Sequence, residues 1–172
     1  MVAQPSFLYD SGGRSPSPDI RLRPFATAAR AGVRQAFSSD FPCGSNAPLL
    51  GISAAVTRKS RRGDVFDGEE AMPAHAALQA YTIDAARAGG TDRECGSLEA
   101  GKRADLVVLS ANPVECRTED IASIEVLQTL GSGGTNLQST LTPPSAMCYL
   151  SAARMGGRTA FSEAGFASIV TS

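Results

Sequence analysis

The apolar positions of this chain fall into short blocks whose spacing changes character along its length. Gln4 to Tyr9 is a compact apolar segment that reads as a strand, and the Gly, Ser, Pro and Arg residues from Ser11 to Asp19 read as a loop. Leu22, Phe25, Ala26 and Ala29 then recur at helical spacing, with Pro24 suited to a first turn and Gly32 to the C-terminal cap. Val33 to Phe37 reads as a second strand, although Arg34 and Gln35 are poor residues for a strand covered on both faces. Pro48 opens a helix with Leu49, Ile52, Ala55 and Val56 on related faces. A loop over residues 63–70 leads to a further helix, with Pro73 in its first turn, the stripe Ala74, Leu78, Tyr81 and Ala85, and Gly89-Gly90 as its stop. The alternation of strand and helix predicts an α/β arrangement with parallel strands.

After Gly90 the helices stop. Ala104 to Ser110 reads as a strand, Asn112-Pro113 as a turn, and Ile124 to Thr129 as another strand. Within the first of these, Leu106 to Leu109 is the apolar run of a strand buried on both sides, while Gly96 and Gly101 supply turn conformations closed to other residues. Beyond Leu130 the chain is rich in Gly, Ser and Thr, with Pro143-Pro144 and one short helical spacing through Met147, Leu150 and Arg154. That composition predicts a poorly ordered tail. Three parts are therefore expected: an α/β portion over 1–92, a small β unit over 93–130 and the tail over 131–172.

Composition changes this picture little. A chain of 172 residues with 42% hydrophobic content can bury one ordinary core. Aromatics are 6% and Trp is absent, so Ala, Leu and Val must do most of the packing. A formal net charge of -1 supplies no field for nucleic acid or an anionic membrane surface, and neither is expected as a partner. The densest basic run, Arg58-Lys59-Ser60-Arg61-Arg62, lacks interleaved aromatics and reads as a solvated loop. No apolar run approaches the ~18 residues of a membrane span, and Met1 to Pro5 lacks the pattern of a secretory leader. Cys43, Cys95, Cys116 and Cys148 form no C-x-x-C or zinc-ribbon spacing, so reduced thiols in a cytoplasmic setting are expected.

The best-placed chemical group is Asp40, just beyond the C-terminal end of the second predicted strand, in Phe37-Ser38-Ser39-Asp40-Phe41-Pro42. Reactive groups gather at that end of strands in α/β folds, although an aspartate before a proline-containing turn is also a common way to start a loop. His75 is the single histidine and reads as a surface helix residue. Ser38 or Ser39 with His75 would need a nucleophile elbow that is not there, and no phosphate-binding glycine loop is present; Gly12-Gly13 and Gly133-Gly134 read as flexible loops. Lys102-Arg103 sits in a turn before a strand and reads as solvated.

Several blocks also carry a family likeness. Gly32 to Pro42, followed by Pro48-Leu49-Leu50-Gly51-Ile52 and Ala54-Ala55-Val56-Thr57-Arg58, resembles the "G-V-x-x-x-x-x-S-D-x-P … P-L-x-x-I-x-A-A-V-x-R" block of the type-3 branch of the metal-dependent amidohydrolases, which includes N-substituted formamide deformylase-like enzymes. Ala77 to Ala86 is similar to that branch's "A-L-x-A-Y-T-I-x-A-A" helix, and Gly96 to Leu109 to its "G-S-[IL]-E-x-G-K-x-A-D-L-V-V-L" segment. The likeness runs in order over residues 4–129.

This resemblance implies the C-terminal part of a (β/α)8 barrel, its last two βα units, followed by part of a small β-sandwich. It implies a hydrolase that acts on carbon–nitrogen bonds other than peptide bonds in small amide-like substrates, using metal-activated water. Asp40 would be the aspartate at the end of barrel strand eight, both metal ligand and proton carrier between the water and the leaving amine. The metal would be a divalent ion, zinc foremost. The family's site draws on a His-x-His pair and two further histidines, whereas this chain has only His75, where the pattern has no ligand. This chain alone is therefore not expected to hold the metal, and it reads either as a catalytically incomplete portion or as a non-catalytic remnant or interaction module. Open strand edges would suit a complementary chain or self-association.

Overall fold

The computed structural model describes residues 1–11, 23–131, 135–137, 151–152, 154–155, 158–159 and 169–171. Two strands open the architecture, β1 (Val2–Ala3) and β2 (Ala36–Phe37), and they pair in parallel with Val2 opposite Ala36 and Ala3 opposite Phe37. Five helices accompany them: α1 (Ser6–Ser11), α2 (Phe25–Arg30), α3 (Pro48–Thr57), α4 (Ala74–Tyr81) and α5 (Ile83–Ala88). The parallel pair joined through helices is the arrangement that the apolar pattern predicts, and the whole is α/β.

The first segment departs from expectation. Gln4 to Tyr9 is not a strand: β1 ends at Ala3, Pro5 begins a turn and Ser6–Ser11 is helical. Six residues are too few for periodicity to decide, and burial of Leu8 settles the conformation instead. The second strand is shorter than expected because Gln35 is buried beside it with its Nε2 donating to the Phe25 carbonyl at 2.8 Å, which ties β2 to the start of α2. The loop expected over residues 11–19 lies almost wholly outside the described residues.

Pro48 occupies the first turn of α3 as its ring permits, and the helix ends at Arg58 in a left-handed conformation, φ 58°. The long helix expected from Ala74 to Ala85 is two helices. Thr82 leaves the helical basin, and its hydroxyl donates to the Leu78 carbonyl at 2.9 Å, taking over a bond that the broken backbone no longer makes.

The β unit is antiparallel. Strand β3 (Leu106–Leu109) pairs with β4 (Val126–Gly131), Val107 opposite Thr129, and with β9 (Ile169–Thr171), Val107 opposite Val170. With β5 (Thr135–Leu137) and β6 (Ser151–Ala152) they form a five-stranded sheet in the order β5-β4-β3-β9-β6, and β7 (Arg154–Met155) and β8 (Arg158–Thr159) form a separate pair. Strand β3 is not buried on both sides: Val107 and Leu109 face the core while Leu106 and Val108 are half-buried, as expected when an antiparallel sheet covers one face only. Met147 and Leu150 of the expected short helix lie outside the described residues; Arg154 lies in a strand.

One apolar cluster spans both units. Phe25 packs on Phe37 at 5.0 Å between ring centroids and Phe37 meets Tyr81 edge-on at 5.4 Å, while Ile52 and Ala55 of α3, Val107 and Leu109 of β3, and Ile121 belong to the same core. A Cβ on Gly51 would fall onto the Tyr81 hydroxyl, so a glycine is what lets α4 approach α3 closely. In the Gly96 to Leu109 segment Gly96 has φ 90°, and a Cβ there would lie 2.6 Å from that of Ala86.

Candidate functional site

Because β1 and β2 run in parallel, the residues that follow each strand emerge at one end of the pair. Gln4 follows β1 and the turn Ser38 to Ser45 follows β2, and the Gln4 Nε2 donates to the Ser38 Oγ at 3.3 Å. Asp40 lies in this turn with its side chain exposed and its backbone in the left-handed region, φ 53°. Asp is among the few residues that adopt this conformation readily. Its own carbonyl accepts from the Cys43 and Gly44 N–H groups at 2.8 and 3.3 Å, closing the turn on itself and leaving the carboxylate outside. Phe41 beside it is 59% exposed, its N–H donating to the Ser39 Oγ at 3.3 Å.

The turn is also held from α1. Gly44 lies so close to the Phe7 ring that a Cβ would come within 2.6 Å of it, and the Ser45 N–H donates to the Asp10 Oδ2 at 3.2 Å. Sequence reasoning missed Phe7 and Asp10, which it placed in or beside a strand; a helical reading of Ser6 to Ser11 would have put them one turn apart on one face.

The other candidates stand elsewhere. His75 is exposed in the first turn of α4, as expected, and no hydrogen bond or ion pair is described between it and Asp40 or its turn. The basic run is not a solvated loop throughout: Arg58 is 0% exposed. Its Nε donates to the Phe66 carbonyl at 3.0 Å and its Nη1 to the Arg23 carbonyl at 3.1 Å, with the guanidinium stacked 5.3 Å from the Phe25 ring centroid. Burial lowers its pKa, and the nearby Asp67 and Glu70 oppose that shift. Glu70, also fully buried, accepts from the Thr27 N–H at 2.8 Å and from the Thr27 hydroxyl at 2.5 Å, pinning the first turn of α2. Lys102 is likewise largely covered, its ammonium donating to the Ser97 Oγ, while Arg103 is exposed and paired with Asp105 at 2.7 Å. Both pairs serve the turn itself.

A cleft of about 440 Å³ lies between α5 and the Gly96 to Gly101 turn, lined by Arg87, Arg93 and Lys102 with Asp92 and Glu99. Asp84, on the same helix as Arg87, pairs with Arg34 at 3.7 Å, so this helix borders the end of β2 opposite to Asp40.

The described residues do not fit a divalent metal centre. Among the described residues no three His, Cys, Asp or Glu side chains come together, and the one imidazole in the sequence is exposed on α4. A tetrahedral zinc site asks for three or four such ligands within ~2.3 Å of the ion. Among the described residues, no helix is long and apolar enough to cross a membrane.

The sequence profile of the amidohydrolase family matches residues 3–135, the type-3 profile that the motifs predict. The chain belongs to the amidohydrolase family. It is 40% identical over 121 residues to the N-substituted formamide deformylase of Arthrobacter pascens, a match covering 70% of this chain and 22% of that protein. It is 38% identical over 88 residues to the 5-methylthioadenosine/S-adenosylhomocysteine deaminase of Moorella thermoacetica, covering 51% of this chain and 20% of that one. The chain thus spans about a fifth of the length of these curated relatives. In fold it is similar to an amidohydrolase from Thermotoga maritima, with a TM-score of 0.50 at 22% identity, covering 71% of this chain and 27% of that structure. The family is generally metal-dependent, and among the described residues no cluster of ligand-type side chains accompanies Asp40.

Proposed function

We propose that this chain is the C-terminal portion of a (β/α)8 hydrolase acting on carbon–nitrogen bonds other than peptide bonds, with Asp40 as its acid–base residue. In this reading β1 and β2 with their helices are the last βα units of the barrel, and residues 93–130 belong to a small β-sandwich. The observation that carries it is the placement of Asp40: an exposed carboxylate in a closed turn, at the carboxyl end of a parallel strand pair, within the residues matched by the family. There the carboxylate takes a proton from the attacking water and returns it to the leaving amine, ending each cycle as it began. The substrate is a small amide-like molecule; a deformylase and a deaminase both release nitrogen from carbon, which suits this class. The divalent metal of the family, zinc by resemblance, would rest on histidines that this sequence lacks, so activity requires a segment that supplies them. The free thiols Cys43, Cys95 and Cys116 suit the cytoplasm.

A second reading, a non-catalytic interaction module, draws on the lack of a ligand cluster among the described residues. One chimera separates the two. In the Arthrobacter pascens deformylase the stretch matched here is replaced by this chain, and deformylation is measured. An active chimera whose kcat falls by roughly 10²- to 10⁴-fold on Asp40→Asn supports the proposal. A folded, metal-loaded chimera without activity supports the module, and activity indifferent to Asp40→Asn overturns the role of Asp40.

A further inference from the structure

We propose that Asp10 is a positioning residue for Asp40, acting through the turn that carries it; the link to catalysis rests on the reading of Asp40 given above. The Asp10 carboxylate stands between two segments far from it in sequence. One oxygen accepts from the Ser45 N–H at 3.2 Å, and the other faces the Arg61 guanidinium at 3.5 Å. Arg61 is itself fixed to the same helix end, its N–H donating to the Tyr9 carbonyl at 2.8 Å and its guanidinium lying 5.7 Å from the Tyr9 ring centroid. The carboxylate is thereby held in place on α1 and offers a fixed acceptor to the turn.

Among the described residues, Asp10 is what meets the far end of the turn from outside it. Asp40 is tied to Cys43 and Gly44 by its own carbonyl, so those bonds close the loop without saying where it sits. Among the described residues its place on the molecule is set at the entry by the Ser38 N–H donating to the Ala3 carbonyl at 3.0 Å and by Gln4 to the Ser38 hydroxyl, in the middle by the Phe7 ring against Gly44, and at the exit by Asp10 to the Ser45 N–H. At the far side of the turn Asp10 supplies the hydrogen bond, and a carboxylate oxygen accepting from a backbone N–H is both stronger and more directional than the van der Waals contact of Phe7. The entry is thus held by the end of β1 and the residue after it, while the middle and the exit are held by Phe7 and Asp10 of α1, so α1 is the brace for the far side of the turn that carries Asp40. Anchoring the turn on both sides places the Asp40 backbone, and proton transfer is sensitive to such placement at the level of a fraction of an ångström.

The test uses the whole chain labelled with nitrogen-15, comparing the parent with Asp10→Ala and Asp10→Asn. Asn keeps an oxygen that can accept from Ser45 but gives up the ion pair with Arg61. In Asp10→Ala, the Ser45 amide proton moves upfield, and hydrogen exchange at Cys43, Gly44 and Ser45 speeds up by about five- to tenfold. Exchange in α3 and β3 stays at the parent rate, and Asp10→Asn restores most of the Ser45 shift and protection. Unchanged exchange at 43–45 in Asp10→Ala overturns the proposal, as does acceleration spread evenly over the chain or a failure of Asn to rescue. None of these readouts depends on hydrolysis: a local, Asn-rescued effect beside a chimera indifferent to Asp40→Asn would leave the brace standing and remove only the catalytic role of the residue it aims.

Discussion

Arg58 and Glu70 are fully buried, and each is positioned by backbone groups of other segments. Arg58 closes α3, reaches the carbonyls of Arg23 and Phe66, and lies over Phe25; Glu70 holds the first turn of α2 at Thr27. Together they draw the loop after α3 and the start of α2 onto the same wall of the core. Removing the guanidinium takes a buried donor away from the Arg23 and Phe66 carbonyls and a cation from beside Asp67 and Glu70, and losing a buried charged donor of this kind is costly. Arg58→Met is therefore expected to lower unfolding free energy by about 3 kcal/mol, against less than about 0.5 kcal/mol for Arg62→Met at an exposed position, as measured by urea titration with an unchanged slope. Equal effects of the two substitutions would show that the buried guanidinium adds nothing. This node was not legible in the sequence: Arg58 sits in a run of four cations, and what takes it inside is Phe25, thirty-three residues earlier, and acids at positions 67 and 70.

At the level of elements, legibility followed length and punctuation. The helix from Pro48 and the end of α2 at Gly32 are readable because Pro and Gly fix backbone angles locally, and the turn glycines Gly96 and Gly101 do adopt positive φ, 90° and 94°. The strand-like reading of Gln4 to Tyr9 failed where six residues had to be decided by packing, and the break at Thr82 was invisible because the apolar stripe runs on through it. The site shared both fates. Asp40 is findable from its strand end, whereas Phe7 and Asp10 are tied to it by contacts across more than thirty residues. The two turn glycines also make a graded test of the Gly96 to Leu109 segment. A Cβ on Gly101 meets open space, so Gly101→Ala bears only the left-handed backbone cost of roughly 1 kcal/mol. On Gly96 it adds a clash with Ala86 on α5, and Gly96→Ala is expected to cost at least about 2 kcal/mol more. Thermal unfolding of the two variants side by side measures the difference; equal melting temperatures would mean that α5 yields freely.

For the molecule as a whole, the family likeness and the ligand inventory point in different directions. Ligand-type side chains outside the described residues are few: Asp19, Cys148 and Glu163, without a histidine among them. Purified chain is therefore expected to take up well under one equivalent of zinc in a dialysis experiment read by elemental analysis. One tightly held equivalent, lost on Asp40→Asn or His75→Ala, would reverse that expectation and make the chain a self-sufficient metalloprotein.

The central place of β3 has a consequence for the chain while it is being made. Strand β4 follows β3 closely and can zip onto it at once, but β9, its partner on the other side, lies some sixty residues further along. Until those residues leave the ribosome, the strand of the family signature displays an unpaired backbone edge beside half-buried Leu106 and Val108. The stretch that best reports ancestry is thus also the one that the nascent chain must shelter longest.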